Sequence, residues 1–193
     1  MTQIVMIRPG STDYDVQGRI QGTLDVPLNE QGLLEVARLI EELRSAGIET
    51  VYTCPCQAAN ETATKLATAL DVKLRILRNL ENLSFGLWQG MLVEDVKHKQ
   101  SKVYRQWQEQ PECVCPPEGE MLGQVRERAH LAIAKLLKKH REGIIGLVVP
   151  EPLASIVRQC LCQSELGDLW RAASEHATWE KFQVGLPTLA HTG

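Results

Sequence analysis

The chain has 193 residues, 44% of them hydrophobic, and a net charge of −3 at pH 7, enough to bury one sizeable core and short for two, so a single domain over residues 1–193 is expected. Lys and Arg are scattered among Asp and Glu, which leaves no broad positive field for nucleic acid or an anionic membrane surface. No apolar stretch approaches the length of a membrane span, and the run Ile4 to Ile7 is far too short for a signal peptide, so a cytoplasmic protein without a membrane partner is expected.

Gln3 to Ile7, apolar and β-branched, predicts a short buried strand that stops at Pro9-Gly10, where a ladder cannot continue. A polar loop rich in Gly and Asp follows. Asn29 is then placed to cap a helix with Leu33, Val36, Ala37, Ile40 and Leu43 on one face and Gly47 at its end. Thr50 to Thr53 predicts a second strand, Ala59 to Leu70 a second helix with Ala63, Leu66, Ala67 and Leu70 inward, and Lys73 to Ile76 a third strand.

From Met91 to Gln110 the pattern is helical, with Val93, Val96, Val103, Tyr104 and Trp107 as packing residues, and it gives way to a Pro- and Cys-bearing loop at Pro111 to Gly119. Residues of about 91–119 therefore read as an inserted lid. A long amphipathic helix is predicted over about Glu120 to His140, then a nearly continuous apolar strand from Ile144 to Val149, and a helix begun by Pro152. Ala177 to Val184 predicts a last strand at one edge. Strands alternating with helices imply an α/β fold, a three-layer sandwich with a mainly parallel central sheet.

The six cysteines fall as Cys54/Cys56, Cys113/Cys115 and Cys160/Cys162. Residues i and i+2 point away from each other on a strand or a helix, which opposes a shared ligand set. They read as reduced thiols, and no metal or cofactor is expected. The tryptophans Trp88, Trp107, Trp170 and Trp179 read as packing residues, with Trp88 and Trp107 placed to line the lid.

In an open α/β sheet, ligands sit beyond the carboxyl ends of the strands, so Arg8-Pro9-Gly10-Ser11-Thr12, Cys54 to Ala63 and Pro150-Glu151-Pro152 are the informative segments. Arg8-x-Gly10, Gly18-Arg19-Ile20-Gln21-Gly22, Asp25-x-Pro27-Leu28-Asn29 and Gly32 together resemble the first third of the histidine phosphatases, the phosphoglycerate-mutase-like superfamily. Glu81-x-x-x-Phe85-Gly86-x-Trp88-x-Gly90 is similar to the segment carrying that family's acid, and Gly119-Glu120 with Arg128 to a later motif.

The resemblance implies a phosphoglycerate-mutase-like fold and a site of five side chains: a histidine nucleophile, two arginines and a second histidine around the phosphoryl oxygens, and a carboxylic acid for the leaving group. By position it maps the nucleophile onto Pro9, the arginines onto Arg8 and Ala58, the acid onto Glu81 and the second histidine onto Glu151. Both catalytic histidines are then missing. None of His98, His130, His140, His176 and His191 falls at a family catalytic position, and His98 reads as a solvated lid residue.

Proline supplies no nucleophile, Ala58 removes a fork of donors, and Glu151 sets a carboxylate where a phosphate would sit. Arg8 and Glu151 are expected to pair across the mouth of the sheet and close the degenerate phosphate pocket formed by Arg8, Pro9, Gly10, Ala58 and Glu151. The expectation is a pseudophosphatase that binds, regulates or assembles. The alternatives are a weak phosphohydrolase or other hydrolase using Glu81, Glu151 or Cys54 in a remodelled pocket, and a metal or cationic-ligand site built on Glu81 and Glu151. The expected partner is an unidentified small molecule or protein, and an exposed edge strand near the C-terminus would permit a homodimer.

Overall fold

A computed structural model describes residues 1–184. Among them, five strands form one sheet in the order β3-β2-β4-β1-β5. The strands are β1 Thr2–Ile7, β2 Thr50–Thr53, β3 Lys73–Ile76, β4 Gly143–Val148 and β5 Trp179–Val184. All pairings are parallel except that of β5, which runs antiparallel to β1 with Ile7 opposite Trp179.

Among the described residues the helices are α1 Asp13–Gln17, α2 Glu30–Leu43, α3 Gln57–Leu70, α4 Val93–Lys99, α5 Ser101–Glu109, α6 Leu122–Lys139, α7 Leu153–Cys162 and α8 Leu169–Ala172. The path from β1 through β2 to β3 runs one way across the sheet, and the step from β3 to β4 reverses it. Right-handed crossovers therefore put α2 and α3 on one face and α6 on the other, where it packs against α7. The fold is the expected α/β sandwich with a mainly parallel central sheet. Its main core cluster runs from Ile4 to Ile7 through Leu147 to Val149 and reaches Trp107 in α5, and Leu28, Val36 and Ala58 form a small second one.

Several boundaries differ from the pattern in the sequence. The stretch after Thr12, expected as a loop, contains α1, because Thr12 and Asp15 form a reciprocal capping box that satisfies its first N–H groups. The inward stripe of α2 is Gly32, Val36, Leu39 and Leu43, and Leu33 is exposed. Close contact sets that rotation: a Cβ on Gly32 would lie 2.1 Å from the Ser11 carbonyl oxygen, so the helix rests its glycine on the loop after β1. The helix expected over Met91 to Gln110 breaks at Gln100, at φ −132°, into α4 and α5. The last strand begins at Trp179 rather than Ala177.

Candidate functional site

The carboxyl ends of β1, β2 and β4 open onto a cavity of about 410 Å³ lined by Pro9, Gly10, Ala58 and Glu151 among others. Three loops distant in sequence thus meet where strand order reverses, the usual ligand position in such a sheet. Gly10 is held by its N–H donating to Thr62 Oγ1 at 3.2 Å, and a Cβ there would come within 2.5 Å of the Gly32 carbonyl oxygen. Ser11 donates its N–H and hydroxyl to Glu35 Oε2 at 2.9 and 2.7 Å.

Arg8, only 3% exposed, turns away from the cavity wall into a cage of acids. Its Nε donates to Glu151 Oε1 at 2.7 Å, its Nη1 donates to Glu180 Oε1 at 2.9 Å, and Glu175 Oε2 lies 3.6 Å from Nε. Burial pulls against the charged form of Arg8, but Glu151 and Glu180 outweigh it and hold the guanidinium above its usual pKa. The second Glu151 oxygen accepts the Ser155 N–H at 3.1 Å in the first turn of α7. Neither Arg8 nor Glu151 is free to hold a ligand.

Glu81 is exposed and is not among the residues that line the cavity. Its neighbour Asn82 is buried on the wall, donating Nδ2 to the carbonyls of Gly22 and Glu151 at 3.0 and 3.1 Å. Arg128 pairs with Glu120 and donates to the backbone carbonyls of Glu81 and Asn82, so the later motif serves to pin this loop. Cys54 is fully buried in the core, where its contact with Cys56 and its burial push the thiol well up, and it does not line the cavity. His98 stands on the exposed side of α4 against its own helix. Trp107 lines the cavity, whereas Trp88 is buried behind it.

Glu81 and Glu151 are therefore not brought together, and among the described residues no cluster of three or more His, Cys, Asp or Glu is arranged to hold a metal ion. No described helix is long and apolar enough to cross a membrane.

A side chain on the cavity that sequence reasoning passed over is His176. It lines the cavity with Nε2 3.9 Å from Asp15 Oδ1, and the Ala177 N–H beside it donates to the Pro9 carbonyl at 2.9 Å. Asp15 is itself fixed by the Thr12 N–H and hydroxyl at 2.6 and 2.7 Å. A signal did exist: an edge strand antiparallel to β1 must start where β1 ends, so residues just before it land at the mouth of the sheet.

The profile of the histidine phosphatase superfamily (branch 1) matches residues 4–185. The chain is similar to phosphoserine phosphatase 1 of Hydrogenobacter thermophilus, 27% identical over 180 residues that cover 93% of this chain and 85% of that one. It is 28% identical over 177 residues to the metal-independent phosphoserine phosphatase of Arabidopsis thaliana, covering 90% and 74%. Among solved structures, the mycobacterial glucosyl-3-phosphoglycerate phosphatase superposes with a TM-score of 0.81 at 24% identity over 93% of this chain and 90% of that one. These relatives correct the expectation of a pseudophosphatase with a binding, regulatory or structural role, because proteins similar over nine tenths of the chain are named as phosphatases. The cavity persists at the mouth of the sheet, and a histidine lines it.

Proposed function

The chain belongs to the histidine phosphatase superfamily, branch 1, and on that premise we propose that it is a slow phosphomonoester hydrolase with a remodelled pocket and a small phosphorylated molecule as its partner. Both histidines of the inherited chemistry are absent in this reading, replaced by Pro9 and Glu151. The observation that carries it is His176, set in the cavity beside the Pro9 carbonyl and next to Asp15. His176 takes a proton from water, the water oxygen forms a bond to phosphorus, and the ester P–O bond breaks as the alkoxide leaves and takes that proton back from the His176 imidazolium. Asp15 stabilises the imidazolium that forms. Arg19, on the cavity wall, is the cation left for the phosphoryl oxygens.

Of the groups first considered, Glu151 is engaged by Arg8, Cys54 is sealed in the core and Glu81 lies outside the cavity, so none competes for the role of base. Magnitudes set the expected rate. Loss of a covalent nucleophile costs roughly 10⁶-fold in a comparable unit, and a positioned general base restores about 10²- to 10⁴-fold. The helices α4 and α5, with the loop after them, would close the site as a lid.

Turnover of 4-nitrophenyl phosphate by purified protein, followed from pH 5 to 9, tests the proposal. Hydrolysis that falls at least about tenfold in His176→Asn is the expected result. Turnover indistinguishable from buffer, or untouched by His176→Asn, overturns it.

A further inference from the structure

We infer that the site selects phosphomonoesters whose organic part is flat, apolar and free of carboxylate; the inference rests on the hydrolase reading and names its substrate class. Two independent features of the cavity point the same way. One is an aromatic wall and the other is the sign of the charge around it.

The wall gathers Phe85 from the loop after β3, Trp107 from α5 and Trp170 from α8, all lining the cavity. Phe85 and Trp107 have ring centroids 5.3 Å apart, and Phe85 and Trp170 stack at 6.5 Å with 21° between their planes. Trp170 is fixed in place. It stacks on Tyr104 at 5.2 Å and 8°, and its indole N–H donates to the Tyr104 carbonyl at 3.3 Å. Leu169, Val93 and Ile20 continue the apolar lining. Such a surface rewards a planar apolar group through dispersion and offset stacking and gives a polar aliphatic chain nothing to bond.

The charges on the lining are Asp15, Glu151 and Glu175 against Arg19 and His176. Arg19 donates Nη1 to the Gly90 carbonyl and Nε to Gln17, both at 2.7 Å, and on the hydrolase reading what remains of its guanidinium goes to the phosphoryl oxygens. Arg8, the other guanidinium in the neighbourhood, is neutralised by its cage. Asn82 offers no donor, because its Nδ2 is committed to the carbonyls of Gly22 and Glu151. A substrate carboxylate would therefore meet like charge with no second cation to receive it.

The test compares esters of matched leaving groups. Benzyl phosphate is expected to exceed both 4-carboxybenzyl phosphate and ethyl phosphate in kcat/KM by about tenfold or more, which corresponds to about 1.4 kcal/mol. Trp170→Ala should raise KM for benzyl phosphate at least threefold more than it raises KM for ethyl phosphate. Glu175→Lys, at a side chain half exposed, should bring the carboxybenzyl ester at least threefold closer to the benzyl ester. Equal kcat/KM for the charged and neutral esters, or a carboxybenzyl ester unmoved by Glu175→Lys, overturns the inference while turnover itself leaves the hydrolase reading intact. Saturable quenching of tryptophan fluorescence by benzyl phosphate but not by its carboxylated analogue, without turnover of any ester, supports the selectivity and sinks the hydrolase instead.

Discussion

Arg8 and Glu151, 143 residues apart in the chain, join at 2.7 Å beneath the site with both side chains only 4% exposed. The pair neutralises the cation that the loop after β1 would otherwise present to an anion. Glu180 at 2.9 Å completes the cage.

Glu151→Gln is expected to lower stability by about 2 kcal/mol, because a buried guanidinium loses its main partner while Glu180 still compensates part of the charge. Urea unfolding measures this. The same variant should bind inorganic phosphate more tightly than the parent in a calorimetric titration, since Arg8 is released towards the cavity. Unchanged stability and unchanged phosphate binding together would show that the pair carries no net weight.

Restoring the inherited constellation is a second prediction. Pro9→His, Ala58→Arg and Glu151→His in one chain should raise 4-nitrophenyl phosphate turnover by about 10²-fold or more and leave an acid-labile, base-stable phosphoenzyme. All three positions line the cavity, so the new side chains have space to enter it. No gain over the parent would mean that the loops have drifted from the geometry the covalent route requires.

Glu35 supplies the pH dependence. Burial works to raise its pKa, but the hydroxyl and N–H of Ser11 bond to its carboxylate and bring it below its usual value. The unfolded chain therefore binds the proton more tightly. Stability from this group is present above the ordinary Glu value of about 4.3 and is lost as pH falls through the lower folded value. Urea midpoints between pH 3 and 7 should show a shallower acid limb in Glu35→Gln than in the parent.

Two glycines predict opposite signs. Gly32→Ala forces a methyl to within 2.1 Å of the Ser11 carbonyl oxygen, backbone against backbone, and should cost about 3 kcal/mol and disturb turnover with it. Gly123→Ala, in the first turn of α6 with nothing within 4 Å of the new Cβ, should gain about 0.5 kcal/mol. Thermal unfolding of the two variants checks both.

The strands and the long helices were determined by local pattern: apolar runs stopped by Pro or Gly, and helical periodicity after Asn29 and before His140. The same is true of the superfamily, whose signature lies in short strings such as Arg8-x-Gly10 and Gly18 to Gly22. Pro9, Ala58 and Glu151 were singled out by their offsets from strand ends, and all three line the cavity. Contacts across long sequence separations were decided only by the tertiary structure. The face that α2 buries depends on Gly32 touching Ser11. Whether Glu81 or Asn82 enters the cavity depends on how Arg128 pins their backbone carbonyls. His176 reaches the site because β5 pairs antiparallel with β1, a register that no window of sequence around His176 contains. Periodicity reports which side of an element is apolar, whereas a site is made where several elements end, and that depends on pairing and packing.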